Sequence, residues 1–197
     1  NVDSLGNEID NFVEAPSIST YQIKGGASYN LDDRLSAFVN SGYVQKPPIL
    51  DNVIDYDGNV SSNPDNEKFI SNEVGGEYRS DKVAIKGSYY NTQWKDRNLT
   101  KSVTSGQGDS GDTDIIYLTG VDQSHSGFEI ESKVALHEMV ELDVAVSIGD
   151  WYFDGDAEGD YLKQEYNDDN QIIGQTSEEY QYALNNLMVG DMPQKSY

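Results

Sequence analysis

The stretch of sequence that decides the fold consists of FISNEVGGEY at residues 69–78, RSDK at 79–82 and VAIKGSYYNTQW at 83–94. In the first run Ile70, Val74 and Tyr78 share one parity, whereas Glu73 and Glu77 share the other. Because successive strand side chains point to opposite faces, this alternation predicts a strand with one apolar and one acidic face. The two runs and their polar turn predict a hairpin with arms of roughly ten residues, about the length of a tilted transmembrane strand.

The same alternation continues on both sides of this hairpin. It predicts further strands at about 19–29, 34–44, 115–133 and 140–148, with the start of another strand at 193–197. Short turns alternate with long polar stretches at about 46–67, 96–113 and 154–190, and the last part of the third stretch, 178–188, predicts a short helix. Long connections therefore all fall at one end of the sheet. This segregation is typical of an outer-membrane barrel with short periplasmic turns and long extracellular loops.

We therefore expect an all-β protein, an antiparallel up-and-down section of about six to eight strands of a larger transmembrane β-barrel. The chain of 197 residues has a net charge of −22, from 35 acidic and 13 basic residues, which argues against nucleic acid as a partner. It has no cysteine and no run of about 18 apolar residues. Since it begins Asn-Val-Asp-Ser, without an initiator Met or a signal-peptide pattern, we expect a mature or truncated piece of a longer protein.

Several short segments follow one another in order along residues 18–197. They are GYVQKPP at 42–48, NPDNE at 63–67, NEVGGEY at 72–78, YYNTQWKD at 89–96, GFEIE at 127–131 and VGDMP at 189–193. In order and spacing these segments resemble the C-terminal half of the barrel of TonB-dependent outer-membrane receptors, most closely those of the Bacteroidetes type. Asn66 stands where that family commonly has Leu.

The resemblance implies a function as well as a fold. It implies that residues 1–197 are a partial receptor barrel, and no stretch resembles the family's plug domain or TonB box. The implied function is TonB-dependent uptake of a scarce nutrient, such as a ferric siderophore, cobalamin, an oligosaccharide or a peptide, across the outer membrane of a Gram-negative bacterium. The implied partners are outer-membrane lipid, the substrate, and the TonB energy-coupling complex acting through the missing N-terminal part. The chain is not expected to be an enzyme, and no residue is assigned a catalytic role.

One acidic segment has the spacing of a calcium-binding loop. Asp154, Asp156 and Glu158 occupy positions 1, 3 and 5 of a twelve-residue loop, Gly159 occupies position 6, and Glu165 occupies position 12. Calcium prefers such oxygen ligands, and glycine allows the sharp turn between them. A bound calcium ion and a solvated acidic loop both fit this segment. Two aromatic residues next to it, Trp151 and Tyr152, are candidate ligand contacts at the rim, where barrels also carry interfacial aromatic girdles.

A second function from a different class fits the same alternation. A secreted, soluble β-sandwich that binds carbohydrate or calcium would also have strands with one apolar and one polar face. In a sandwich the apolar faces would pack against each other, whereas in a barrel they would contact lipid. The position of the apolar face therefore distinguishes the two alternatives.

Overall fold

The computed structural model describes residues 13–54, 60, 65–105, 112–167, 172–190 and 193–196. Their strands are β1 Gln22–Asn30, β2 Leu35–Lys46, β3 Glu67–Arg79, β4 Val83–Ser105, β5 Asp112–His137, β6 Val140–Phe153, β7 Ala157–Tyr166, β8 Ile172–Tyr182 and β9 Lys195–Ser196. A single 3-10 turn, Leu50–Asn52, lies between β2 and β3. In this described part we find no helix with the length and apolar character needed to span a membrane.

All these strands belong to one antiparallel sheet, in which β1 to β6 lie side by side in chain order. The order is β1-β2-β3-β4-β5-β6-β9, and β7 pairs with β5 and with β8. Strand β6 follows β5 from Gln123 to His137, and β7 continues along the same edge from Ile115 to Thr119. Thus β6 and β7 pair with successive parts of the same long strand β5. On the opposite edges of these two strands, β9 pairs with β6 and β8 pairs with β7. The predicted all-β, antiparallel up-and-down sheet is confirmed.

The central hairpin has the register that its sequence predicts, but its neighbours are longer than predicted. Strand β4 continues to Ser105 and β5 begins at Asp112, so most of the predicted loop at 96–113 is a paired hairpin; residues 106–111 lie outside the described residues. Leu99 lies opposite Leu118 and Thr100 opposite Tyr117. Side chains of these types favour pairing on a pleated surface, and this pairing extends the strands beyond the point where clear alternation stops.

The prediction for residues 154–190 is wrong in two respects. The segment contains the β7–β8 hairpin rather than a long loop, and residues 178–182 of the predicted helix form the end of β8. Tyr180 packs edge-on against Tyr161 of β7 with ring centroids 6.2 Å apart. Pairing with β7 therefore outweighs the local helical pattern. Residues 168–171 and, near the chain end, 191–192 lie outside the described residues.

The connection between β2 and β3 is long and irregular, as predicted. Its described part includes the 3-10 turn and an isolated bridge between Ile54 and Val60. Residues 55–59 and 61–64 lie outside the described residues, and they include Asn63 and Pro64 of the family-like segment.

The apolar side chains lie on one exposed face of the sheet. The register places one row of them side by side across six strands, and this row contains Ala27, Val39, Val74, Tyr89, Phe128 and Ile148. Val39, Val74 and Phe128 are 50%, 56% and 61% exposed. Among the described residues only Val53, Val121 and Ala157 are buried apolar residues. The sheet therefore lacks the covered apolar side that a soluble domain of this size would have.

On β3 and β4 the polar face is the more covered one, whereas on β5 and β6 polar-face residues such as Glu129 and Asp143 are exposed. Along β3 the polar-face residues Ser71, Glu73 and Glu77 are half-buried, whereas Asn72, Val74 and Tyr78 on the apolar face are exposed. Ser88 of β4, opposite Gly75, is buried. On β3 and β4 this distribution is the reverse of that in a soluble antiparallel sheet, where the polar face is the one in water.

Gly75 of β3 leaves room on the polar face for the Phe38 side chain of β2 and for the backbone of β4. A Cβ atom at Gly75 would lie 2.5 Å from the Gly87 carbonyl oxygen and 2.5 Å from Phe38 Cζ. We expect Gly75→Val to lower the free energy of unfolding by about 1–3 kcal/mol, since the backbone carbonyl cannot move away. Urea unfolding in detergent micelles, followed by circular dichroism, measures this loss.

Gly25 provides the matched control for that substitution, because a Cβ atom there has nothing within 4 Å. Gly25→Val should leave the unfolding midpoint unchanged or raise it, as a β-branched residue favours a strand. Equal losses for the two variants would show that crowding at Gly75 is unimportant.

Candidate functional site

The candidate site is a groove on the polar face. Three neighbouring rows of cross-strand residues form it: a floor, a lower edge with Asn40 and Glu73, and an upper edge with Phe69 and Trp94. The register of β1 to β6 defines its floor, which consists of Lys24, Gly42, Ser71, Thr92, His125 and Trp151. Gly42, Ser71 and Thr92 are small, and over them lies an open depression of about 700 Å³. This volume is within the range of small-molecule sites. We call this feature the polar groove.

The lower edge of the polar groove carries paired polar groups. Asn40 Nδ2 donates to Glu73 Oε2 at 3.0 Å. On the floor the hydroxyl oxygens of Ser71 and Thr92 are 2.8 Å apart and hydrogen bonded. These residues come from three neighbouring strands, and the ladder fixes their spacing. The edge therefore presents carboxylate, amide and hydroxyl groups in fixed positions.

The upper edge is aromatic and rests on a buried carboxylate. The rings of Phe69 and Trp94 have centroids 4.5 Å apart, and the Arg97 guanidinium carbon lies 3.9 Å from the Trp94 ring centroid. Glu67 is only 1% exposed and accepts hydrogen bonds from Trp94 Nε1 at 3.1 Å and from Lys46 Nζ at 3.2 Å. Since both donors are fixed by one buried anion, the Trp94 ring has a defined orientation.

The far end of the polar groove is a second aromatic group. The rings of His125 and Trp151 stack with centroids 5.4 Å apart, and Trp151 Nε1 donates to the Tyr90 hydroxyl at 2.9 Å. A Cβ atom at Gly127 would lie 2.6 Å from the Tyr90 hydroxyl oxygen, so this glycine makes room for the Tyr90 side chain. His125 Nε2 and Gln123 Oε1 are 3.2 Å apart and hydrogen bonded. Contacts from three strands thus hold this end rigid.

Directly beyond the polar groove, three neighbouring strands break register at the same level. The breaks lie at residues 95–98 of β4, at 119–122 of β5, and at 154–156 between β6 and β7. Asp96, Gly120 and Gly155 have φ angles of 55°, 64° and 122°. Such residues are typical of β-bulges. We call this level the bulge belt.

Lys95 connects the three parts of the bulge belt. Its Nζ lies 2.9 Å from Asp122 Oδ2 and 3.1 Å from Asp154 Oδ2. Asp122 Oδ1 also accepts from the backbone N–H of Asp96 at 3.0 Å. Burial alone would lower the pKa of Lys95, but the hydrogen bonds to the two carboxylates outweigh it and raise the pKa. The lysine is therefore a cation that holds two acidic groups from different strands.

The structure separates the residues of the predicted calcium loop. Asp154 is paired with Lys95, and Asp156 Oδ1 accepts from the backbone N–H groups of Leu184 and Asn185, each at 3.1 Å. Glu158 is exposed on β7, and the backbone of Glu165 lies near the other end of that strand, about 23 Å away along an extended chain. The described residues contain no group of three or more acidic or histidine side chains placed to hold a metal ion. Calcium binding at this segment stays a prediction.

The two predicted ligand contacts lie on opposite faces of β6. Trp151 forms part of the polar groove, whereas Tyr152 belongs to the apolar face and its backbone bridges to Met188. Sequence reasoning did not single out the other groove residues, among them Lys24, Asn40 and Glu73. One sequence signal could have indicated part of the site. A glycine in a strand indicates close approach of another group, and Gly127 and Gly75 make room for the rings of Tyr90 and Phe38 on the neighbouring strands.

No protein-family model matches the chain, and no curated protein and no solved structure matches it either. The functional argument therefore depends on the sequence and on the geometry of the sheet.

The bulge belt gives a test of its own. Lys95 is 27% exposed and holds two carboxylates, so Lys95→Met leaves the half-buried Asp122 and the exposed Asp154 without their shared cation. We expect the free energy of unfolding to fall by about 1–3 kcal/mol. Urea unfolding in detergent micelles, followed by circular dichroism, measures the change.

Lys133→Met is the matched control. Lys133 also contacts two carboxylates, Glu141 at 2.8 Å and Asp143 at 3.6 Å, but it is 57% exposed. Solvent screens exposed pairs, so this variant should lose clearly less stability than Lys95→Met. A larger loss for Lys133→Met would contradict a structural role for the bulge belt.

Proposed function

We propose that this chain forms part of the wall of a β-barrel receptor in the outer membrane of a Gram-negative bacterium, and that the receptor takes up a scarce nutrient by TonB-dependent transport. The observation that carries the proposal is the exposed apolar face, which runs across six strands. An exposed apolar surface of this extent is unfavourable in water and favourable in lipid.

The height of the apolar face supports a membrane location. On β6 it contains Val140, Leu142, Val144, Val146 and Ile148. These residues span about 27 Å along the strand. A strand tilted by 35–45° then covers about 20 Å of membrane thickness, close to the apolar band of about 25 Å on outer-membrane barrels.

A polar row limits this band towards the long hairpins. The register places Gly25, Ser41, Asn72, Asn91, Ser126 and Asp150 next to one another on the apolar face. Ser41 donates to Asn72 Oδ1 at 2.8 Å. The row beyond includes Tyr43 and Tyr152, a residue type typical of the membrane–water interface. The polar row is therefore the proposed level of the lipid head groups.

The remaining parts of the chain fit the same orientation. The polar groove faces the lumen side, the turns 31–34, 80–82 and 138–139 lie at the periplasmic end, and the longer hairpins β4–β5 and β7–β8 extend to the outside. The family-like segments at 72–78 and 127–131 fall on β3 and β5 of this wall. Substrate capture is assigned to the groove and the outer hairpins, and energy coupling through TonB is assigned to protein outside this chain.

The soluble sandwich receives no comparable support. A sandwich needs a second sheet packed on the apolar face. All strands in the described ranges belong to one sheet, and the apolar side chains on it are exposed.

Ile130 and Glu129, adjacent on β5, test the proposed orientation. Ile130 is 52% exposed on the apolar face, and Glu129 points to the polar face. The chain has no cysteine, so Ile130→Cys and Glu129→Cys each give one attachment point for a bimane fluorophore. In vesicles of lipids brominated at mid-chain we expect strong quenching at position 130 and little at position 129. The measurement is the ratio of fluorescence to that in unbrominated vesicles.

The same chain is examined by sedimentation in buffer without detergent. We expect it to aggregate there and to gain a monodisperse β-structured form in detergent. Equal quenching at the two positions, together with a monomer that melts cooperatively in buffer, would exclude the membrane orientation.

A further inference from the structure

The polar groove combines flat aromatic surfaces with paired hydrogen-bonding groups. Phe69 lines the depression, and Trp94, His125 and Trp151 follow it on the polar face of the next strands, so the four rings extend across β3 to β6 over about 14 Å. This is longer than a single small ring requires. The shape therefore fits an extended ligand built from several ring units, which lie against aromatic faces in turn.

The polar side chains of the groove suit hydroxyl groups. Glu73 accepts from Asn40 through one carboxylate oxygen, and a carboxylate has about four acceptor positions, so it can take further donors. Ser71 and Thr92 present hydroxyls that both donate and accept. Adjacent hydroxyls of a sugar ring need donors and acceptors side by side, and the Asn40–Glu73 pair supplies both within 3.0 Å.

Charge around the groove favours a neutral ligand. Arg97 stacks on Trp94 and donates to Gln123 Oε1 at 3.2 Å, and Glu67 is paired with Lys46. Lys24 at one end of the floor and Glu73 beside it have opposite charges. The whole chain has a net charge of −22, which repels anions. The groove therefore lacks the unbalanced positive charge that an anionic ferric chelate requires.

From these observations we propose that the polar groove binds a neutral oligosaccharide, with its sugar rings against Phe69, Trp94 and Trp151 and its hydroxyls at Asn40 and Glu73. This inference rests on the proposed function, in which the polar face lines the lumen. It selects the substrate class among the nutrients that such a receptor takes up.

The chain contains a built-in reporter for this site. Its two tryptophans both lie on the polar face, Trp94 opposite Phe69 of the depression and Trp151 opposite His125, which pairs with Thr92 of the depression. The 197-residue chain is titrated in lauryldimethylamine oxide, a detergent without a sugar head group, with maltohexaose, cellohexaose, xylohexaose and mannohexaose. We expect a saturable change in tryptophan fluorescence with at least one of them, and isothermal calorimetry gives its Kd. Hexagalacturonate and a ferric tris-catecholate chelate are the anionic probes and should give no saturation.

Variants locate the binding. Trp151→Ala should raise the Kd by about tenfold or more, as removal of a central aromatic contact commonly does. Glu73→Gln keeps the shape and removes the charge-assisted acceptor, so we expect about a tenfold rise in Kd. Val74→Ala, on the apolar face next to Glu73, is the matched control and should change the Kd by less than about twofold. Circular dichroism verifies that each variant keeps its β-structure.

The possible outcomes separate the two proposals. The oligosaccharide site would be overturned if only an anionic probe gave saturation, or if none of the neutral hexasaccharides did. It would also be overturned if Trp151→Ala and Glu73→Gln bound a hexasaccharide with the Kd of the unchanged chain. If lipid quenches bimane at position 130 while no hexasaccharide binds, the membrane receptor stands and only the substrate class falls. If bimane at position 130 is not quenched by lipid, the receptor function falls, and with it the lumenal position of the groove.

Discussion

Cross-strand register is the constraint on which this molecule depends. Each strand has two unlike faces, and a shift of one residue between β3 and β4 would bring Glu73 and Glu77 among the apolar side chains. Backbone hydrogen bonds alone do not select between these registers, because both satisfy the ladder. The row from Val39 through Val74 and Tyr89 to Phe128 selects one of them, since it forms a continuous apolar surface only in the observed pairing.

The same register creates the groove on the other face. An aromatic side chain on one strand needs space on the next, and glycines provide it, as Gly75 does for Phe38 and Gly127 does for Tyr90. The apolar face, by contrast, has only apolar and aromatic side chains in its central row, from Ala27 to Ile148. One ladder thus positions an apolar face and a polar face, because the side chains of alternate residues point to opposite sides of the sheet.

The sequence predicts the strands with clear alternation, such as 69–78 and 140–148, because period-2 patterning is a local property. It does not predict β8. A helix is predicted at 178–188 although Tyr180 and Tyr182 have the period-2 spacing of a strand, and pairing with β7 makes this segment a strand. The site depends on pairing among six strands, so Lys24 and Trp151 cannot be placed in one row before every turn is known. Tyr152 shows a limit that could have been recognised, since consecutive strand residues cannot both face one ligand.

The bulge belt divides the sheet into two tiers that are coupled at few points. Below it the register shifts only at Ala135–His137 next to the β5–β6 turn, and above it β4, β5 and β7 pair in a register shifted relative to the lower tier. A β-bulge absorbs an extra residue locally, so hairpins above the belt can differ in length or sequence while the pairs below stay aligned. Lys95 and its two carboxylates form the junction between the two tiers, so a change in the length of an outer hairpin need not disturb the pairs beneath it.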